Sequence, residues 1–255
     1  MKTNKTKGLL WLTVALMVAA LYMIFVYVPT EASMGAVQRI FYFHVPLAWL
    51  AFLAFFVVFL GSILFLSRRD ATWDRVASSS AEVGVVFTTL FLVSGSIWAK
   101  PIWGVWWTWE PRLTSALILW LIYIAYLLVR SYVSDREQAA RFGAVIGIAG
   151  FADVPIVALA IVLWRTEHPS ALVFEGGLAP SMLLTLLVSL AAFTALYFLL
   201  LIAEFSVKGM EFELKRLKDD LASGLPESVP AGKEIKIVKA SRQADDSTAK
   251  ETKNG

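Results

Sequence analysis

Two residue types in this 255-residue chain are rare enough, and grouped enough, to suggest chemistry. Histidine occurs twice, as His44 in RIFYFHVPLAW and as His168 in LWRTEHPSALVFEGG. Of ten tryptophans, five (Trp98, Trp103, Trp106, Trp107 and Trp109) fall within the segment 96–115, SIWAKPIWGVWWTWEPRLTS, beside Lys100, Glu110 and Arg112. Imidazole is a common ligand for transition metals. A structural zinc ion takes four protein ligands, so two histidines would need carboxylates such as Glu31, Glu110, Glu167 or Glu175 to complete the set. A haem iron already has four porphyrin nitrogens and accepts two axial histidines. A macrocycle also requires aromatic surface for its faces and cations for its propionates. The tryptophan segment supplies the first, and Arg39, Lys100, Arg112 and Arg165 supply the second. Haem therefore uses more of the residues present than zinc does. Each histidine taken alone is equally an ordinary residue of a membrane interface.

The elements that must position these groups are written in the composition. The chain is 58% hydrophobic with a mean hydropathy of +0.68, where a soluble domain is nearer 45–50% apolar. A membrane span needs about 20 mostly uncharged residues. Six runs meet this: 9–28, 45–66, 83–99, 113–129, 142–164 and 178–203. The third and fourth are short, at about 17 residues, within the usual range. Barrel strands would alternate over about ten residues instead, so the fold class is an all-α integral membrane protein with six transmembrane helices. The first run follows Lys2, Lys5 and Lys7. It is longer than the core of a cleavable signal peptide and is followed by no Ala-x-Ala site, so it reads as an uncleaved anchor. The absence of cysteine removes disulfides, thiolate metal sites and covalent haem capture through Cys-x-x-Cys-His. The net charge of +3 follows membrane topology and calls for no nucleic-acid partner.

Lysine and arginine accumulate on the cytoplasmic side of a membrane. The N-terminus carries three (Lys2, Lys5, Lys7), the loop after span two Arg68, Arg69 and Arg75, the loop after span four Arg130, Arg136 and Arg141, and the segment after span six Lys208, Lys215, Arg216 and Lys218. The alternate loops carry only Arg39, Lys100 with Arg112, and Arg165. Both termini are therefore expected in the cytoplasm, with the tryptophan-rich loop between helices 3 and 4 on the outer side. The same topology brings both histidines to the outer face, although 124 residues separate them in sequence.

Tryptophan is enriched at membrane interfaces as an anchor, which accounts for one or two rings but not five in one loop. Asp153, in GIAGFADVPIVAL, is a carboxylate inside a span, where it is costly and usually faces a protein interior or cavity. It reads equally as a proton-handling group and as a protonated packing residue. Glu82 is expected to reach the cytoplasmic interface. Three segments follow: a six-helix membrane domain over 1–203, an amphipathic interfacial or cytoplasmic helix over 204–222 with Phe205, Phe212, Leu214, Leu217 and Leu221 among charges, and a polar tail over 223–255 expected to be disordered.

At this point three motifs in order carry a resemblance. SGSIWAKPIWGVWWTWEPRLTSALILWLIY resembles the tryptophan-rich signature, or WWD domain, of haem-handling proteins in cytochrome c maturation. Within that group, QRIFYFHVP before span two, RLTS after the tryptophans and ADVPIVALAIVLWRTEHPS around the second histidine look like the CcmC family, over roughly residues 34–170. The resemblance implies a b-type haem at the outer face of the bacterial cytoplasmic membrane, with His44 and His168 as axial ligands of the iron. Trp103, Trp106, Trp107 and Trp109 would line the haem edge and the docking surface for a periplasmic haem chaperone, CcmE. Arg39 and Arg112 would hold propionates. The family presents haem to that chaperone alongside the ATP-binding cassette components CcmA and CcmB and the small subunit CcmD. No bond-making nucleophile is evident in this chain, which is expected not to be an enzyme. The sequence departs from the signature at Glu110, where the family usually has Asp, and at Asp153, where an uncharged polar residue is expected.

Other readings make different demands. A haem–cytochrome synthetase subunit of the CcsA/ResC type generally has more spans and a large partner. A membrane b-type electron carrier usually stacks two haems on four histidines across the bilayer, and this chain has two. A proton-coupled transporter would work through Asp153.

Overall fold

The computed structural model describes residues 2–163 and 177–222. The first helix, α1 (Lys2–Tyr22), runs on through one π-helical turn (Met23–Tyr27). In the loop that follows, the Glu31 carboxylate accepts the backbone N–H groups of Ser33, at 2.8 Å, and of Met34. Those two donors favour the charged form and hold the carboxyl below the usual range. A 3-10 turn (Ala36–Ile40) then leads into α2 (Phe41–Arg68). The next helix, α3 (Ala71–Trp103), is capped by Asp70, whose side chain accepts from the Thr72 N–H at 2.8 Å. It ends on Gly104, at φ 76°, a left-handed C-cap that suits glycine. Helix α4 (Pro111–Tyr132) opens with Pro111 in its first turn, where a missing N–H costs nothing. Helix α5 (Arg136–Phe151) is capped by Asp135. After a break at Ala152 come α6 (Asp153–Leu163) and, beyond residue 176, α7 (Pro180–Ala222).

Six helical stretches among the described residues are long and apolar enough to cross a membrane: 4–27, 36–68, 71–103, 111–132, 136–160 and 180–221. The all-helical reading with six spans holds, and no strand occurs among the described residues. Large apolar side chains such as Trp11, Val18, Val86, Ile118 and Leu187 are exposed, which is costly in water and natural in lipid.

The boundaries differ from the hydropathy runs for a physical reason. Helix α3 extends well before residue 83 through TWDRVASSSAE, because its polar groups find partners inside the bundle. Ser80 Oγ donates to the Ala54 carbonyl at 2.8 Å and lies 2.8 Å from the Tyr197 hydroxyl. Asp74 takes both guanidinium nitrogens of Arg130 on α4, at 2.6 and 2.9 Å. Glu82 pairs with Lys208 Nζ at 2.5 Å, so it is engaged by α7. At mid-membrane, Trp120 Nε1 on α4 donates to Thr89 Oγ1 on α3 at 2.8 Å.

The fifth span is two helices because Pro155 lies in the first turn of α6 and cannot donate to the preceding turn. Asp153 sits at this break, half-buried, with its Oδ2 lacking a hydrogen-bond partner among the described residues.

The chain divides into two compact units, 1–209 and 210–255. The amphipathic segment expected over 204–222 is helical as the last part of α7. In the second unit Met210, Leu214, Leu217 and Leu221 are exposed. The tail expected to be disordered, 223–255, lies outside the described residues. The core that supports the site is built mainly on α2, α3 and α4. The Phe55 ring on α2 stacks on Tyr123 of α4 with centroids 3.6 Å apart, surrounded by Ala51, Ala77, Ala81 and Leu119.

Candidate functional site

His44 lies in the first turn of α2, two residues before Pro46, and is 7% exposed. Its ring is fixed from α3. The Phe91 ring lies 4.7 Å away at a shallow angle, and Trp98 stands edge-on at 5.6 Å. Nδ1 is 3.0 Å from Ser94 Oγ. A Cβ added at Gly95 would meet His44 Cε1 at 3.0 Å, so any side chain there would crowd the imidazole. Phe41 backs Trp98 from below at 6.2 Å.

This ring opens onto a cavity of about 300 Å³. Its floor is His44, Phe91, Leu92, Gly95, Ser96 and Trp98; its far wall is Trp103, Val105, Trp106, Trp107, Glu110 and Arg112. The wall is the loop 104–110 with the helix ends that hold it. Lys100 Nζ donates to the Gly104 carbonyl at 2.8 Å and lies 6.0 Å from the centre of the Trp106 ring, fastening the loop to the last turn of α3. Arg112 is 6% exposed, with its guanidinium 3.8 Å from Glu110 Oε1. That separation is an ion pair without hydrogen-bond contact. The Trp107 indole N–H is buried and has no hydrogen-bond partner among the described residues.

The arrangement can hold a flat, apolar, anionic ligand. Aromatic faces line it, one imidazole enters it, and a buried guanidinium and a buried indole N–H bring positive charge and a hydrogen-bond donor to it. Among the described residues no group of three or more His, Asp or Glu side chains comes close enough to hold a metal ion; the one carboxylate on the cavity is Glu110.

Of the residues singled out in the sequence, the cavity brings together His44, Trp103, Trp106, Trp107, Glu110 and Arg112. Trp109 is outside the lining, 75% exposed, with its ring edge-on to Trp107 at 5.8 Å. Arg39 is also outside it, in the 3-10 turn before α2, with its guanidinium 6.0 Å from the Phe25 ring. His168, with Arg165, Glu167 and Glu175, lies outside the described residues.

Sequence reasoning passed over Phe91, Ser94, Gly95 and Trp98 as site residues. A usable signal was the SGS triplet 94–96, a patch of small residues in an apolar span, of the sort that marks close approach between helices.

The family model for CcmC, described as heme exporter protein C, matches residues 1–219. The chain belongs to the CcmC family. Among curated relatives it is 38% identical over 172 residues to heme exporter protein C of Bradyrhizobium diazoefficiens, covering 66% of this chain and 65% of that protein. The match thus spans just under two thirds of that relative's length. It is 31% identical over 198 residues to a putative cytochrome c biosynthesis ccmC-like mitochondrial protein of Marchantia polymorpha, covering 76% of this chain and 83% of that one. To heme exporter protein C of Escherichia coli strain K12 it is 30% identical over 158 residues, 62% of this chain and 64% of that one. The matched residues include the helices that build the cavity.

Proposed function

We infer that this chain binds haem as cargo at the outer end of its helix bundle and presents it to a periplasmic chaperone of the CcmE kind during cytochrome c biogenesis. The observation that carries this is the convergence of His44, Trp103, Trp106, Trp107 and Arg112 on one cavity. When bound, haem would supply an iron with two axial positions for imidazole. His44 is proposed as one axial ligand and His168 as the other. The aromatic wall would exclude water from the macrocycle face. Arg112 and the Trp107 N–H would take a propionate, the first by its charge and the second as a hydrogen-bond donor.

Trp109, exposed beside Trp107, is placed to meet the chaperone, and Arg39 is assigned to a second propionate. The name of the relatives, heme exporter protein C, supports assembly with further exporter components, and CcmA, CcmB and CcmD are proposed as these. The cargo is proposed to be haem b, and the cysteine-free chain would hold it without a thioether bond.

Purification of the chain with haem, followed by spectra of His44→Ala and His168→Ala, tests the reading. Each variant is expected to lose the six-coordinate low-spin spectrum of the wild type. Retention of that spectrum in both defeats the axial assignment.

The orientation is tested separately and takes advantage of the cysteine-free sequence. Single cysteines replacing the exposed Thr108 and Ser134 lie in loops at opposite ends of α4. In intact cells a membrane-impermeant maleimide is expected to label Thr108→Cys and to spare Ser134→Cys until the membrane is opened. The reverse pattern would put the haem cavity in the cytoplasm.

A further inference from the structure

The hydrogen bonds behind His44 contain information about its protons. Ser94 Oγ lies 3.0 Å from the Phe91 carbonyl oxygen, to which it donates, and 3.0 Å from His44 Nδ1. A serine hydroxyl has one proton, and a carbonyl oxygen can only accept. Both contacts are satisfied together in one way: the hydroxyl proton goes to Phe91, and Nδ1 carries a hydrogen that it donates to Oγ. In a neutral imidazole the lone pair is then at Nε2.

We propose that Ser94 is a positioning residue that locks His44 in its Nδ1–H tautomer and so selects Nε2 as the atom presented to the haem iron. The inference deepens the reading of His44 as an axial ligand and rests on it. The lock is steric as well as polar. Phe91 at 4.7 Å and Trp98 at 5.6 Å confine the ring, and Gly95 abuts Cε1. A half-turn of the ring would set a C–H against Ser94 Oγ and lose the bond.

The identity of the partner sets the strength of the ligand. Metal-binding histidines commonly donate their second N–H to a carboxylate or a backbone carbonyl, which raises ligand basicity. Here the acceptor is a neutral hydroxyl whose own proton is committed elsewhere. That fixes the ring and adds little electron density to Nε2. Such a ligand suits a site that must give its cargo up again.

Two measurements test this, one without haem. The chain has two histidines, so 15N-histidine labelling of haem-free protein gives a spectrum of two rings, assigned with His168→Ala. The His44 ring is expected as the Nδ1–H tautomer in wild type and in Ser94→Thr. In Ser94→Ala it is expected to revert to the Nε2–H form that prevails in water. With haem loaded, Ser94→Ala is expected to stay six-coordinate at saturation but to release haem to an apo-globin trap about tenfold faster, with Ser94→Thr restoring the wild-type rate. An unchanged tautomer or an unchanged release rate in Ser94→Ala overturns the role of Ser94. If that occurs while His44→Ala loses the low-spin spectrum, the ligand reading stands alone; if His44→Ala keeps the spectrum, both fall.

Discussion

Gly95→Val is expected to weaken haem retention by roughly 5- to 100-fold while leaving the chain folded in the membrane. A Cβ at residue 95 would meet His44 Cε1 at 3.0 Å, tighter than ordinary van der Waals contact, and valine adds two methyl groups beyond it. The ring has little room to move. Ser94 holds Nδ1, and Phe91 and Trp98 hold its flanks. Overpacking of this sort costs about 1–3 kcal/mol, and about 1.4 kcal/mol is a factor of ten. The strain falls on the imidazole that faces the cavity, so it appears first as a lost ligand. Haem per mole of purified protein measures it, with Gly95→Ala expected between wild type and valine. Wild-type haem content in Gly95→Val would show that His44 tolerates displacement and does not set occupancy.

The second large effect lies at the opposite end of α3. Arg130→Ala is expected to destabilise the protein by about 3 kcal/mol. The low end of the 3–5 kcal/mol range for breaking a buried pair applies, because the Arg130 side chain keeps 17% exposure. Its removal leaves the Asp74 carboxylate without the two charge-assisted bonds it accepts, and with no other ion-pair partner among the described residues. The double variant Asp74→Leu with Arg130→Met is expected to be more stable than Arg130→Ala, since the pair's desolvation penalty disappears along with its attraction. Thermal aggregation in detergent, followed for all three chains, decides the point. A double variant no better than the single one would mean that the pair contributes net stability beyond avoiding an orphan charge.

The sequence made some of this plain and hid the rest, for identifiable reasons. A bilayer requires long uncharged helices, so six spans were readable from apolar runs alone. The crowding of tryptophan in 98–109 marked one stretch regardless of fold, but it is a loop only over 104–110: Trp98 and Trp103 lie in the last turns of α3. Hydropathy failed where polar residues are satisfied by distant partners. Asp74 and Arg130 are 56 residues apart, and Ser80 and Tyr197 are 117 apart. No local pattern pairs them, and the early turns of α3 therefore looked like a loop. The same limit applies in the site. His44 stood out as one of two histidines, whereas Ser94, 50 residues away, looked like any small residue of a span. The break at Ala152 was not read from the sequence, where 142–164 was taken as one run, although Pro155 in the first turn of α6 accompanies it. Glu110 keeps an acid beside Arg112 at 3.8 Å.

The ties between α3 and α4 have a mechanical consequence. They occur at two depths, Asp74–Arg130 at one end and Thr89–Trp120 half-way along. Beyond the second tie α3 continues for 14 residues to Trp103, about 21 Å at 1.5 Å per residue, and this last stretch forms one side of the cavity. Past that tie its fastenings pass to α2: Ser94 and Trp98 hold His44, and Phe41 backs Trp98. The side of the cavity that carries the imidazole is thus braced by a different helix from the one that braces the opposite end of α3.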